Sequence, residues 1–153
     1  MNQRDIIQAH EIEDNGSTYF LPVCFCLDTS RSMEKKDGGT DRMTNERIGP
    51  SRLELLQEGL KTFIEAIGND LTTRYMVEVA IVTFDDHARM LRNFTLVERS
   101  IFDNSGRLVR SVAAEFPKLE TQGKHTALGE GVCLALDMLE KCKKDYSEYG
   151  VEY

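Results

Sequence analysis

LPVCFCLDTSRSM, residues 21–33, carries the strongest structural signal in this sequence. A nearly unbroken apolar run from about Tyr19 to Leu27 is followed by Asp28, Ser30 and Ser32, which place oxygen-bearing side chains at alternate positions. An apolar run of this length predicts a strand that is buried on both faces, as in parallel sheets. Ligand sites in open α/β sheets lie beyond the carboxyl ends of such strands. Because Mg²⁺ prefers oxygen ligands and keeps several waters, the three side chains are candidates for part of a metal site.

The next segments predict a helix and a second strand. Ser51 and Glu54 have the spacing of a capping box, in which each residue satisfies a free amide of the other. The helix is expected to end at Gly68-Asn69. Met76 to Phe84 predicts a second buried strand, and the strand–helix–strand order predicts a right-handed parallel crossover. The apolar residues of the helix recur at three- and four-residue spacing, which predicts one face packed against a sheet: Leu53, Leu56, Leu60, Phe63, Ile64 and Ile67.

After the second strand the chain is predicted to turn back toward the same sheet. Asp85-Asp86-His87 has the composition of a solvent-exposed hairpin turn, although its carboxylates could also contribute charge near Asp28. Arg89 to Phe94 predicts a more polar strand that pairs antiparallel with the second strand. A short helix is expected around Leu108 to Phe116.

The last helix is expected to span Thr126 to Lys144. Gly129 and Gly131 should let its first turns approach the sheet closely, because glycine has no side chain. Five residues of this helix are predicted to face inward, and these are Leu128, Val132, Ala135, Leu136 and Leu139.

Two polar segments lie outside these elements. Residues 1–18 are predicted to form a loosely docked arm, which leaves residues 19–153 as the domain. The segment from Glu34 to Pro50 contains a glycine pair and mixed charge, so we expect an unstructured loop that could cover the metal site.

The composition excludes several classes of function. A chain of 153 residues is expected to form one domain, and its net charge of −7 argues against binding to nucleic acid or to anionic membrane surfaces. No segment approaches the roughly 20 apolar residues of a membrane span, and the N-terminus lacks the apolar core of a secretory signal. These observations predict a cytoplasmic protein. The four cysteines do not have zinc-site spacing, so we expect reduced thiols packed in the core: Cys24, Cys26, Cys133 and Cys142.

Two motifs carry a resemblance to a known family. Asp28-Thr-Ser30-Arg-Ser32 resembles the DxSxS signature of the von Willebrand factor type A (VWA) family, and GKHTALGEGV, residues 123–132, resembles its Gly-x-x-Thr segment. The resemblance covers about Tyr19 to Tyr149 and looks most like bacterial intracellular VWA proteins, including those associated with tellurite resistance. It implies an α/β, Rossmann-like fold with a mostly parallel central sheet, an antiparallel edge strand and helices on both faces.

The resemblance also implies a role for each site residue. Ser30 and Ser32 would bind Mg²⁺ or Mn²⁺ directly, Asp28 would hold the cation through water, and Thr126 would add a hydroxyl. A carboxylate from an Asp or Glu of a partner protein would then complete the coordination. The local alternative is that the two serines cap a turn and that Thr126 is only the N-cap of the last helix.

Two departures from the family pattern bear on metal binding. Arg31 stands where the family usually has glycine, and its guanidinium would repel the cation unless it points outward, where it could pair with an acidic partner. The family's second carboxylate lies in a Thr/Ser-Asp-Gly segment after the next strand. That strand and the C-terminal half of the fold are expected beyond Gly150-Val-Glu-Tyr153, so we expect weak metal binding.

The motifs favour a non-enzymatic, metal-dependent protein-binding module. Haloacid-dehalogenase-type phosphatases need a second Asp two residues after the first, and here that position is Ser30. A metal-dependent phosphatase and a scaffold that binds nothing stay open as alternatives. Because the first strand would keep one unpaired edge with apolar side chains, we also expect self-association through that edge.

Overall fold

A computed structural model describes residues 19–70, 72–102, 105, 107–113 and 116–150. The predicted arm, residues 1–18, lies outside this part of the chain. The elements follow in the order β1 (Leu21–Asp28), a 3₁₀ helix (Arg31–Glu34), α1 (Arg52–Asn69), a second 3₁₀ helix (Thr73–Tyr75), β2 (Val77–Phe84), β3 (Ala88–Leu96), β4 (Glu98–Phe102), β5 (Leu108–Ala113) and α2 (Leu128–Glu148).

The central sheet has the strand order β1-β2-β3. Strands β1 and β2 are parallel, in a register that runs from Leu21 opposite Val77 to Asp28 opposite Phe84. Strand β3 pairs antiparallel with β2. The predicted α/β, Rossmann-like fold with an antiparallel edge strand is confirmed. In the part of the chain that the structure describes, the central sheet is mixed, with one parallel and one antiparallel pair of strands. Within the described residues β1 pairs with β2 alone and forms one edge of the sheet.

The two helices cover opposite faces of the sheet. Leu60 and Ile64 of α1 pack in one buried cluster with Val79 and Ile81 of β2. Ala80, between those two residues, belongs to a second cluster, which includes Phe94 of β3 and Cys142 and Tyr146 of α2. Because successive residues of a strand point to opposite faces, α1 and α2 lie on opposite sides. Burial of each large apolar side chain stabilises this core by about 1.5–3 kcal/mol.

The start of α1 is the predicted capping box. The Ser51 hydroxyl accepts a hydrogen bond from the Glu54 amide at 3.1 Å, and the Glu54 carboxylate accepts one from the Ser51 amide at 2.7 Å. The helix ends at Asn69 as expected, but an extended Asp70 follows it, and no left-handed glycine terminates it.

The inward face of α2 differs from the prediction. Ala135 is buried and Leu139 is partly buried, but three of the predicted residues are exposed, and these are Leu128 (55%), Val132 (43%) and Leu136 (55%). We call these three residues the exposed α2 stripe. The buried face is instead formed by Gly131, Ala135, Cys142 and Tyr146.

Close approach at Gly131 explains why the face of α2 that packs against the sheet differs from the predicted face. A Cβ atom on Gly131 would lie 2.7 Å from Cδ1 of Phe84 and 3.0 Å from Sγ of Cys26. The prediction for Gly131 is therefore confirmed. A Cβ atom on Gly129 would meet nothing within 4 Å, so the same prediction for Gly129 is wrong.

The helix expected around Leu108 to Phe116 is also wrong. Residues 98–102 and 108–113 form an antiparallel pair, with Glu98 opposite Ala113 and Ser100 opposite Ser111. The apolar spacing in this segment is compatible with either structure, and pairing with β4 gives its backbone groups their partners. Tertiary pairing therefore overrides the local pattern.

The segment between the first 3₁₀ helix and α1 is a compact hairpin-like loop. Thr40 and Arg47 form an antiparallel bridge across it. The Arg52 guanidinium donates to the Asp37 carboxylate at 2.6 Å and ties the loop to the start of α1. The expectation of an unstructured segment here is wrong.

None of the four cysteines forms a disulfide, and their environments differ. Cys142 is buried, Cys24 and Cys26 are half-buried, and Cys133 is exposed on α2. Burial raises the pKa of the Cys24 thiol to about 11, so it stays protonated at neutral pH. The prediction of core packing is wrong for Cys133. In the described residues no helix is long and apolar enough to cross a membrane.

Candidate metal centre

The pairing of β1 with β2 fixes the start of the DxSxS loop. Thr29 directly follows β1 and is buried, and its amide donates to the carbonyl of Phe84 at 2.9 Å. Its hydroxyl donates to the same carbonyl at 3.3 Å. These bonds extend the parallel pairing past the end of the strand, so the following serines leave the sheet from a defined position.

The structure brings three predicted site residues into one turn. The Ser30 and Ser32 hydroxyl oxygens lie 3.0 Å apart, and Oδ1 of Asp28 accepts a hydrogen bond from the Ser30 amide at 2.7 Å. Ser30 is 1% exposed. It occupies the N-cap position of the 3₁₀ helix, but its side chain makes no capping hydrogen bond. The alternative in which the serine hydroxyls cap this turn is therefore wrong for Ser30.

The segment that carries Thr126 lies beside this loop. The Arg31 amide donates to the carbonyl of Gly123 at 2.9 Å, and the Gln122 amide donates to the carbonyl of Thr29 at 3.4 Å. Thr126 itself is exposed, and no hydrogen bond among the described contacts joins it to the serines. The N-cap of α2 is Ala127, so the alternative in which Thr126 caps the helix is wrong.

Asp85 is buried, whereas the sequence predicted a solvated turn. It is 1% exposed, and its carboxylate accepts a hydrogen bond from Arg89 Nη2 at 2.7 Å. Its carbonyl accepts a hydrogen bond from the Ala127 amide at 2.6 Å, directly beyond Thr126. The prediction of a solvent-exposed hairpin turn is therefore wrong for Asp85, which is buried and contacts the segment that carries Thr126.

Asp86 is exposed but it also binds that loop. Its Oδ1 accepts hydrogen bonds from the amides of His125 at 2.7 Å and Lys124 at 3.1 Å. The bond from the His125 amide is the main cause that holds the pKa of Asp86 below its usual value. Sequence reasoning missed this contact, since its partners are 38 and 39 positions further along the chain.

The Arg31 side chain extends into solvent. Its side chain is 71% exposed, and its Nε lies 4.0 Å from a carboxylate oxygen of Glu34. A shallow, open depression is lined by Arg31, Ser32, Glu34 and Lys35. We call the DxSxS loop, residues 28–32, the serine loop. It lies beside a surface with two exposed cationic side chains, Arg31 and Lys35.

The donor set suits a hard cation that keeps most of its water. Asp28, Ser30 and Ser32 supply oxygen atoms, which Mg²⁺ and Mn²⁺ prefer. Over the described part of the chain no group of three or more His, Cys, Asp or Glu side chains is arranged to hold a metal. Sites for zinc are built from such side chains, so this loop fits Mg²⁺ better than zinc.

Solved structures share this fold. An uncharacterized membrane spanning protein from Vibrio fischeri aligns with a TM-score of 0.51 and 23% identity, over 80% of this chain and 50% of that chain. The PilB minor pilin from Streptococcus sanguinis aligns with a TM-score of 0.55 and 19% identity, over 82% of this chain and 27% of that chain. A mutant of the same pilin gives 0.56 and 19%, over 84% and 28%. This chain thus spans half or less of the length of these proteins.

At these identities the similarity shows the fold alone. No curated protein sequence matches the chain significantly. The sequence profile of the von Willebrand factor type A domain matches residues 23–148, from within β1 to the last residue of α2. The match includes the DxSxS loop and the Gly-x-x-Thr segment. The chain therefore belongs to the von Willebrand factor type A domain family.

Proposed function

We propose that this domain is a metal-ion-dependent protein-binding module. Mg²⁺ or Mn²⁺ bound at Asp28, Ser30, Ser32 and Thr126 would bridge to an acidic side chain of a partner protein. The observation that carries this proposal is the pair of Ser30 and Ser32 hydroxyls, 3.0 Å apart and without a capping role for Ser30. Domains of this family often mediate protein interactions, which agrees with a binding role.

Each side chain has a defined part in the proposed site. Ser30 and Ser32 present hydroxyl oxygens. Asp28 contributes the carboxylate, and it also shapes the turn because it accepts a hydrogen bond from the Ser30 amide. Thr126 adds a hydroxyl from the neighbouring loop. When bound, the cation would supply open coordination positions that a partner carboxylate could occupy.

Weak binding follows from the ligand count. Asp28 is the one carboxylate of the proposed set, and affinity for hard cations rises with the number and charge of the ligands. We therefore expect dissociation constants in the high-micromolar range or weaker. The cation then keeps net positive charge, which favours an anionic partner group over a neutral one.

Calorimetric titration with Mg²⁺ tests the site directly. Asp28→Ala should abolish the binding isotherm, whereas Asp137→Ala should keep it. Asp137 is an exposed carboxylate on α2, so its removal makes the same change in net charge. Identical isotherms for the wild type and both variants would rule out the proposed site.

The proposal assigns no catalytic step to these residues. A phosphatase that uses Asp28 as a nucleophile would need an acid two residues further on, and Ser30 is not one. Release of phosphate from a generic aryl phosphate in the presence of Mg²⁺ would count against a pure binding role if Asp28→Ala abolished it.

We also propose that the domain associates with itself beside β1. Leu21 at the start of this edge strand is 58% exposed, and the exposed α2 stripe lies on the helix that packs against β1. An open strand edge flanked by apolar side chains is a template for pairing with another chain. The cytoplasmic location and the bacterial intracellular type stay predictions from the sequence.

A further inference from the structure

We propose that Asp86 is a positioning residue that holds residues 122–127, the Thr126 loop, against the serine loop. Asp85 and Arg89 support it in this role. We call these three residues the turn clamp. Its consequence for metal binding rests on the proposed function, whereas its effect on the loop does not. None of the three residues belongs to the proposed ligand set.

The turn clamp binds the backbone on both sides of Thr126. Oδ1 of Asp86 accepts hydrogen bonds from the two amides that precede Thr126, those of Lys124 at 3.1 Å and His125 at 2.7 Å. The carbonyl of Asp85 accepts a hydrogen bond at 2.6 Å from the amide that follows Thr126, that of Ala127. Hydrogen bonds to a carboxylate are stronger than neutral ones, so the position of Thr126 is set largely by its neighbours.

A second part of the turn clamp reaches the serine loop. The buried Asp85 carboxylate accepts a hydrogen bond from Arg89 Nη2 at 2.7 Å, and Arg89 Nη1 donates one to the side-chain oxygen of Gln122. The Gln122 amide in turn donates to the carbonyl of Thr29 at 3.4 Å. Loss of one partner would leave a buried charge unpaired, which is strongly destabilising. The ion pair therefore fixes the two loops relative to each other.

Gly123 allows this close fit. A Cβ atom at position 123 would lie 2.6 Å from the amide nitrogen of Asp86 and 2.7 Å from Cβ of Asp85. These contacts involve backbone and the base of a side chain, which cannot move aside easily. The turn clamp and residues 122–127 therefore touch without space for a side chain.

Asp86 is the member of the turn clamp that can be tested without damage to the core. Asp86 is exposed, so its removal leaves the Lys124 and His125 amides accessible to water. Asp85, in contrast, is buried and pairs with Arg89, and its removal would unfold more than the loop. Substitution of Asp86 should loosen the loop with little change in melting temperature.

The experiment compares Asp86→Ala, Asp86→Asn and the charge-matched control Asp137→Ala. Amide hydrogen exchange without metal should speed up roughly tenfold at Lys124 and His125 in Asp86→Ala, as expected for loss of a hydrogen bond to a charged group. Asp86→Asn keeps an oxygen acceptor and should restore part of the protection. Mg²⁺ affinity by calorimetry should fall several-fold in Asp86→Ala and stay unchanged in the control.

The two readouts separate the two proposals. Unchanged exchange at Lys124 and His125 in Asp86→Ala would overturn the positioning role, whatever the metal affinity. Faster exchange with unchanged Mg²⁺ affinity would overturn its link to the metal site. A wild type that binds no Mg²⁺ would overturn the proposed function, while the exchange data would still decide whether Asp86 holds the loop. If Asp86→Ala melts early, Asp86→Asn decides instead: exchange at Lys124 and His125 faster than in the wild type supports the positioning role of the carboxylate, and unchanged exchange overturns it.

Discussion

The two long helices cover the same sheet but differ in how completely they bury their apolar residues. In α1 the buried residues Leu60 and Ile64 lie within the stripe that the sequence predicts. In α2 three residues of the predicted apolar face, Leu128, Val132 and Leu136, are exposed. The buried residues of this helix are Gly131, Ala135, Cys142 and Tyr146. The difference shows that an apolar pattern identifies an apolar face of a helix, but it does not show which part of the protein packs against that face.

The largest expected effect separates a buried leucine from an exposed one. Leu60→Ala should reduce the free energy of unfolding by roughly 2–5 kcal/mol, because Leu60 is 5% exposed in the α1 cluster. Leu136→Ala should change it by no more than about 0.5 kcal/mol, because this side chain is 55% exposed. Urea denaturation at low protein concentration measures both. Similar losses for the two variants would contradict the difference between the helices.

Two glycines of α2 should respond in opposite directions. Gly131→Ala places a Cβ atom 2.7 Å from Phe84, and we expect overpacking to cost about 1–3 kcal/mol. Gly129→Ala meets nothing within 4 Å, so better helix propensity should stabilise the protein by up to about 1 kcal/mol. Thermal denaturation distinguishes these outcomes. A neutral Gly131→Ala would mean that α2 docks further from the sheet than the structure shows.

Self-association should depend on the exposed α2 stripe or the adjoining β1 edge. Covering each large side chain again is worth about 1.5–3 kcal/mol, so we expect the wild type to form dimers or larger species. Leu136→Lys should shift the population toward monomer. Leu55→Lys is the matched control, since Leu55 is 54% exposed on α1. Light scattering over a dilution series provides the measurement, and a monodisperse wild-type monomer at high concentration would refute the prediction.

The smallest expected effect concerns the capping box of α1. Hydrogen bonds from the backbone and side chain of Ser51 lower the pKa of Glu54 in the folded protein. A carboxyl group with a lowered folded-state pKa stabilises the fold above its unfolded pKa of about 4.3. That contribution is lost as the pH falls through the folded-state value. The difference in stability between wild type and Glu54→Gln should therefore be present at neutral pH and vanish in strong acid.

Local patterns predicted a large part of the fold. The apolar runs and the capping box depend on neighbouring residues, and they predicted β1, β2 and the start of α1. Strand β2 is buried along its whole length as expected, but burial of β1 on both faces was wrong: most of its residues are half-buried, because within the described residues β1 forms an edge of the sheet. The orientation of α2 depends on which of two overlapping apolar faces can approach the sheet. The face that contains Gly131 packs against the sheet because this glycine fits closely against Phe84 and Cys26, which lie far away in sequence. A pattern read within the helix alone cannot show that contact.

The candidate site divides in the same way. Asp28, Ser30 and Ser32 are close in sequence, so one turn brings them together. Asp85 and Asp86 have the composition of an ordinary turn, and only long-range bonds to residues 124–127 give them a further role. Their position directly after a buried strand, at the same sheet edge as Asp28, was the available signal.

The unequal exposure of the cysteines has a practical consequence for labelling. The half-buried Cys24 has a raised pKa, and Cys142 is enclosed by α2 and the sheet, so both should react slowly with maleimides. Cys133 is exposed and directly follows Val132 of the exposed α2 stripe. A fluorophore attached there, without any engineered cysteine, would report by self-quenching or energy transfer when two copies of this helix come together.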